Sequence, residues 1–126
     1  RYPCLSFTGK RNLGCREKFF IHAEMTMQYM ITWTLYPETF DEALQYFSQM
    51  TVEDDREQLG DAVTMVGRWN DLVSRTGVAI LESDDLSAVN AFCLQWQNVC
   101  DLTITPVMSD EEVRALGRTR AMPPSD

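Results

Sequence analysis

Histidine is almost absent from this sequence: the only one is His22, and it precedes the segments in which strands and helices are predicted. The predicted domain therefore lacks the commonest general base and metal ligand of proteins. The motifs of serine hydrolases, P-loop proteins, dinucleotide-binding proteins and zinc proteases are also missing. The sequence accordingly predicts no particular reaction, no cofactor and no metal site.

Long apolar runs are missing too. No stretch approaches the ~18 apolar residues of a membrane-spanning helix, and residues 1–24 contain no apolar core of signal-peptide length. The four cysteines, Cys4, Cys15, Cys93 and Cys100, form no CxxC pair. They are either a disulfide or metal site, or unpaired thiols with Cys93 as a small core residue, and we favour unpaired thiols. Since reduced thiols are typical of the cytoplasm, we expect a cytoplasmic protein.

Positive charge is scarce, with 11 Lys and Arg against 19 Asp and Glu and a net charge of −8 over 126 residues. This charge argues against nucleic acid or an anionic membrane as a partner. In residues 1–24, however, Lys and Arg outnumber Glu. The change of sign predicts a boundary near Met25, and we divide the chain into an extension (1–24), one domain (25–117) and a tail (118–126).

The segment MQYMITWTLYP predicts a strand at 27–36 with no charge on either face. Such a strand is usually covered on both sides. Alternating or apolar runs predict further strands at 62–69, 76–82 and 101–108. A short polar connection makes the second and third strands an antiparallel hairpin, and Gly67 indicates a bulge in the second.

Apolar residues at helical spacing predict a first helix at 39–50, which the capping-box spacing of Thr39 and Glu42 should begin. The acidic segment 51–61 that follows has no apolar periodicity. We interpret it as a solvated loop or a fraying helix end. A carboxylate metal site is the alternative, but the ligand order of an EF-hand is missing.

A second helix is predicted at 85–98, with Asp84 or Asp85 as its N-terminal cap. Ser109 and Glu112 form a further capping box, which predicts a short helix after the last strand. Proline cannot donate to a strand ladder, so the latter half of the strand at 101–108, which contains Pro106, should lie at a sheet edge or at a strand end.

The element order β-α-β-β-α-β predicts a ferredoxin-like α+β fold, in which a four-stranded antiparallel sheet carries both helices on one face. The other face, on the order of 400 Å² from strand spacing and rise, is then uncovered. Apolar patches of that size are seldom left bare. We therefore expect a homodimer with two-fold symmetry, joined through the sheets.

Four segments carry a family resemblance: MQYMITWTLYPE, VTMVGRWND, GVAILESDD and DLTITPVMSDEE. They resemble DUF3303, a bacterial family of domains of unknown function, over roughly residues 27–116. The resemblance implies a dimeric α+β barrel, a superfamily that includes cofactorless monooxygenases, muconolactone-isomerase-like enzymes and stress-response proteins. It implies no catalytic residue, because none is established for the family.

The candidate ligand-binding residues lie on the predicted strands: Arg68, Glu82, Thr32, Thr34, Thr103, Thr105, Trp33 and Trp69. Arg68 is either the anchor for an anionic or carbonyl group or the partner of Glu82 in a structural ion pair across the hairpin. The threonines offer neutral donors and acceptors, and the tryptophans either stack on a planar ligand or belong to the core.

Two classes of function follow. The first is a sheet-lined pocket that binds or transforms a small, largely apolar molecule. The second is a non-catalytic interaction or regulatory module whose sheet serves to dimerise.

Overall fold

The computed structural model describes residues 26–120. The predicted extension at 1–24, with His22, Cys4 and Cys15, lies outside the described residues, as do residues 121–126 of the predicted tail (118–126), whereas residues 118 and 119 belong to the last helix. The elements are β1 (Met27–Leu35), a 3₁₀ turn (Pro37–Thr39), α1 (Phe40–Ser48), α2 (Val52–Leu59), β2 (Thr64–Asp71), β3 (Thr76–Ser83), α3 (Leu86–Leu94), β4 (Cys100–Val107) and α4 (Asp110–Thr119). None of the helices in this range has the length and apolarity needed to span a membrane.

The four strands form one antiparallel sheet in the order β2-β3-β1-β4. This order and the helices around it confirm the predicted ferredoxin-like α+β fold. β1 pairs with β3 on one side and with β4 on the other, so the strand without charge lies inside the sheet. β4 is an edge strand, which confirms the position predicted from Pro106, whose missing N–H is tolerated at an edge.

Strand alternation gives the sheet two distinct faces. On the inner face, Tyr29, Ile31, Ala79 and Leu81 are buried and form a core with residues of α3 such as Val89. The outer face carries the alternate residues of the same strands, and none of those is buried. The described part of the chain therefore covers one face of the sheet with helices.

A bulge in β2 decides which face its later residues occupy. The register with β3 shifts between Met65 and Gly67, which confirms the predicted bulge and adds one residue to β2. Because the side-chain period of a strand is two, one extra residue moves all later side chains to the opposite face. Arg68 consequently lies opposite Ala79, on the inner face.

The structure corrects two predictions about helix ends. The acidic segment 51–61, interpreted as a loop or a fraying end, contains α2, which begins with a capping box of Thr51 and Asp54. The predicted capping box of Thr39 and Glu42 is wrong: the chain forms a 3₁₀ turn after Tyr36, and the Thr39 side chain makes no capping hydrogen bond.

Asp85 caps α3, which confirms one of the two predicted alternatives. Its Oδ1 accepts hydrogen bonds from the N–H groups of Ser87 at 3.0 Å and Ala88 at 3.4 Å. We expect Asp85→Ala to lower the free energy of unfolding by about 1 kcal/mol in urea denaturation. Asp85→Asn keeps an acceptor oxygen and should remain close to the parent chain, so equal losses in the two variants would contradict the capping role.

Candidate ligand-binding site

A cavity of about 90 Å³ lies between the inner face of the sheet and the helices. Its lining is predominantly apolar and includes side chains from all four strands. The lining residues are Ile31, Trp33, Leu35, Phe40, Ala43, Leu44, Phe47, Met65, Arg68, Asn70, Leu72, Ala79, Phe92, Trp96, Cys100 and Leu102. We call this space the inner cavity.

The helical wall of the inner cavity comes from the apolar stripe of α1. Phe40, Ala43, Leu44 and Phe47 follow the i, i+3, i+4, i+7 spacing that places side chains on one helix face. Ala43 is buried, and so is Ala79 on the sheet side of the cavity. A longer side chain at either alanine would fill part of the space.

Trp33 forms a wall of the inner cavity because of a glycine on the neighbouring strand. Trp33 on β1 pairs with Gly77 on β3. The indole ring lies so close to Gly77 that a Cβ atom there would overlap its six-membered ring. The absence of a side chain at Gly77 thus allows the ring to lie across β3.

Among the described residues 26–120, Arg68 is the only charged one that lines the inner cavity. Its Nη2 lies 3.0 Å from Oδ2 of Asp55 on α2, and its guanidinium lies 4.7 Å from the centre of the Phe47 ring. The side chain is 18% exposed. A paired, largely buried guanidinium that also contacts an aromatic ring is held in one position.

The predicted ion pair between Arg68 and Glu82 is wrong. Glu82 pairs with Gln28 and Thr64 across the strands and accepts a 2.8 Å hydrogen bond from the Gln28 side chain. The bulge in β2 is the physical reason, because it moves Arg68 to the inner face while Glu82 stays on the outer face.

Trp96, just after α3, connects the cavity wall to α2. Its Nε1–H donates to Oε1 of Gln58 at 3.1 Å, and its ring makes edge contacts with Tyr46 and Phe47. Together with the pair between Asp55 and Arg68, this bond fixes α2 beside the cavity through polar contacts. An acidic helix with no buried residue is thereby held in place.

The sequence model for a domain of unknown function, DUF3303, matches residues 27–121. The chain belongs to this family. The match covers every strand and helix described above. No curated protein and no solved structure matches the chain.

The candidate residues of this DUF3303 domain fall on different faces of the sheet. Arg68 and Trp33 line the inner cavity. The remaining candidates lie on the outer face: Thr32, Thr34, Thr103, Thr105, Trp69 and Glu82. Within one protomer, Arg68 and the four threonines therefore lie on opposite faces of the sheet.

A second, open groove lies on the outer face and measures about 520 Å³. We call it the outer groove. Four of the candidate residues on that face line it, namely Thr32, Thr34, Thr103 and Trp69, and Trp33 lines it as well as the inner cavity. Asp71 and Asp101 lie at one end of it, opposite Thr76 and Thr34 in the strand register.

Several residues of the inner cavity were missed as site residues. Phe40 and Phe47 belong to the apolar stripe that predicts the first helix, and Asn70 lies beyond the predicted end of the second strand. Asp55, the partner of Arg68, belongs to the acidic segment interpreted as a loop. The spacing of Thr51 and Asp54 was the available signal for that helix.

Cys93 and Cys100 are buried and unpaired, as predicted for these two thiols. Burial raises the pKa of each to about 11, because the charged thiolate is poorly solvated there. Cys100 lines the inner cavity, yet its thiol stays protonated at neutral pH and is a weak nucleophile. Within residues 26–120, no group of His, Cys, Asp and Glu is arranged to hold a metal ion.

Proposed function

We propose that this DUF3303 domain binds a small, largely apolar molecule in the inner cavity. The observation that carries this proposal is a space of about 90 Å³, lined mainly by apolar side chains, between the sheet and the helices. Protein interiors are close-packed, and voids larger than a water molecule are few. An apolar pocket with a small number of fixed polar groups is typical of small-molecule sites.

The size of the inner cavity limits the ligand. An engineered apolar cavity of about 150 Å³ binds benzene, so a space of about 90 Å³ suits one small ring or a short branched chain. Leu72 and Asn70 line the cavity and are exposed, which favours an opening beside them. A ligand longer than one ring would extend from there towards solvent.

The charge at Arg68 favours a neutral polar group on that ligand. Asp55 at 3.0 Å compensates the guanidinium, so the pair has no net charge to offer a free carboxylate. A guanidinium has five N–H donors, and Asp55 accepts from Nη2 alone. A carbonyl oxygen can accept from another of these donors, whereas an anion would also face the carboxylate of Asp55.

Ligand binding can be tested by filling the cavity. We expect the parent chain to bind benzamide, a single ring with a carbonyl group, more tightly than benzoate in ligand-observed NMR. Ala43→Leu should weaken benzamide binding at least ~10-fold, which corresponds to about 1.4 kcal/mol. Ala91→Leu is the matched control, since Ala91 is exposed on α3 and should leave binding unchanged.

Two results would contradict the proposal. One is the absence of saturable binding of either probe to the parent chain, together with native mass spectrometry that shows no co-purified small molecule. The other is benzamide binding to Ala43→Leu with the parent affinity. Urea denaturation of both leucine variants checks that any loss of binding is not a loss of folding.

We further propose that the chain forms a homodimer through the outer face, as in a dimeric α+β barrel. The observation that favours dimerisation is the composition of that face: its central residues, such as Met30, Val78 and Ile80, are apolar and only partly exposed. None of the described helices buries them. A dimer of this kind would also serve the alternative function, a non-catalytic interaction or regulatory module.

A further inference from the structure

Helix α4 has an apolar side that no part of the described chain covers. All of its ten residues are exposed, and Val113 and Leu116 are 52% and 55% exposed. A capping box of Ser109 and Glu112 begins the helix. Helices shorter than ~12–15 residues are only marginally stable in water without tertiary packing, so α4 needs a surface to pack against.

The uncovered side of α4 has a defined chemical pattern. Val113 and Leu116 follow the i, i+3 spacing that forms one stripe along a helix, and Arg120, the C-cap just after the last helical residue, comes four residues after Leu116. The stripe is therefore apolar over its first two positions and positively charged at its end. Within the part of the chain that the structure describes, Arg120 has no ion-pair partner, whereas Arg114 lies 4.0 Å from Asp110.

The outer groove has the complementary pattern across its strands. One row of paired residues runs across the four strands and consists of Trp69, Val78, Thr32 and Thr103. Its residues on β2 and β3, Trp69 and Val78, are apolar. The adjacent row has a carboxylate at each edge and consists of Asp71, Thr76, Thr34 and Asp101. Trp69 is 60% exposed, so a large apolar surface lies beside a carboxylate.

We propose that α4 of one protomer lies in the outer groove of a second copy of this chain, with Val113 and Leu116 on Trp69 and Val78 and with Arg120 beside Asp71. Leu116 and Arg120 are separated by about 6 Å along a helix. Trp69 and Asp71, two residues apart on a strand, are separated by about 6.6 Å. The two spacings agree to within an ångström. This inference rests on the homodimer proposed above and names how that dimer is joined.

Charge favours a second copy as the occupant. Three of the six arginines in residues 26–120 lie in the second half of α4 or at its end, namely Arg114, Arg118 and Arg120, and they balance the three acidic residues of its first turn. The rest of this range is strongly acidic. Asp71 accepts a 3.2 Å bond from the backbone N–H of Ser74, and Asp101 accepts a 2.8 Å bond from Tyr36 Oη. A carboxylate has about four acceptor sites, so both can accept further bonds.

The area of the sheet also favours this arrangement. A typical stable interface buries about 800 Å² on each partner, whereas the outer face of the sheet offers only on the order of 400 Å². A ten-residue helix is about 15 Å long and about 10 Å wide, which adds roughly 150 Å². Exchange of α4 therefore brings a sheet-to-sheet dimer closer to the size that a stable dimer needs.

The first test compares two glutamate substitutions on α4 in the full chain. Leu116→Glu places a charge within the stripe, whereas Ala115→Glu places the same charge on the opposite side of the helix. Analytical ultracentrifugation over micromolar concentrations should show a dimer for the parent chain and for Ala115→Glu. Leu116→Glu should raise the dimer dissociation constant at least ~10-fold. Because Leu116 is exposed in the protomer, urea denaturation should show both variants folded.

The second test exchanges charges across the proposed contact. Arg120→Asp and Asp71→Arg should each weaken the dimer several-fold, and the double variant should recover most of the loss, because the opposite charges then face each other again.

A dimer that neither Leu116→Glu nor the charge variants weaken would overturn the position of α4 while the homodimer stands. A monomeric parent chain would overturn both proposals. Neither result affects ligand binding in the inner cavity, which the benzamide titration measures independently.

Discussion

Replacement of Leu81 by alanine is expected to lower the free energy of unfolding by about 2–5 kcal/mol, the usual cost of removing a large buried side chain. Leu81 is fully buried, with 0% of its surface exposed. It pairs with Tyr29 on one side and with Met65 on the other, inside the sheet. Domains are typically stable by only about 5–15 kcal/mol, so this single change should remove a large share of the total.

Val73→Ala is the matched control for Leu81→Ala. Val73 lies in the connection between β2 and β3 and is 93% exposed, so its truncation should change stability by less than about 0.5 kcal/mol. Urea denaturation followed by far-UV circular dichroism measures both variants. If Leu81→Ala cost no more than Val73→Ala, the inner face would not be the core of this domain.

The sequence predicts a sheet with helices on one face, but not which face of β1 they cover, because neither face of that strand carries a charge. Tyr29 and Ile31 alternate with partly exposed neighbours, and the two hydrophobic helices supply the layer that covers them. Alternation, helical spacing and the order of elements all point to one topology, and agreement across these levels specifies a fold. The strand order then follows from the right-handed crossovers of the two β-α-β units, without knowledge of individual long-range contacts.

Helix α2 could not be recognised by the same route. Its eight residues include three acids in the first turn and bury nothing, so the apolar stripe that identifies a helix is missing. Its position depends on two long-range polar contacts, from Asp55 to Arg68 and from Gln58 to Trp96. Contacts between residues far apart in sequence leave no periodic signal.

The partner of Arg68 was predicted wrongly because of a single residue of register. Thr64 and Glu82 pair on the outer face, and without a bulge Arg68 would lie on that face as well. The sequence indicated the bulge through Gly67, but its consequence is to move Arg68 to the inner face, away from Glu82 and towards Phe47. Gly67 therefore predicts the bulge correctly. The partner of Arg68 follows only when the side chains after the bulge are moved to the opposite face of the sheet.

Glycine at position 77 connects the sheet to the shape of the inner cavity. Glycine usually weakens a strand interior, so alanine at an unobstructed position would be favourable. At Gly77 the Trp33 indole occupies the space that a Cβ would need. The same relation occurs within β2, where the Trp69 ring lies over Gly67 on the outer face. Each glycine thus fixes the direction of a neighbouring tryptophan.

Gly77→Ala is therefore expected to displace the Trp33 ring, although it adds only one methyl group. Overpacking of this kind typically costs about 1–3 kcal/mol, and we expect urea denaturation to show a loss in that range. Because Trp33 lines the inner cavity, its displacement should also change the near-UV circular dichroism of the tryptophans and weaken benzamide binding.

Gly117→Ala is the same substitution on α4, where a Cβ would meet nothing within 4 Å. It should leave benzamide binding unchanged and leave stability unchanged or raised by up to about 1 kcal/mol, because alanine favours helix over glycine. A Gly77→Ala chain with parent stability and an unchanged near-UV spectrum would show that Trp33 does not depend on Gly77 for its place in the cavity wall.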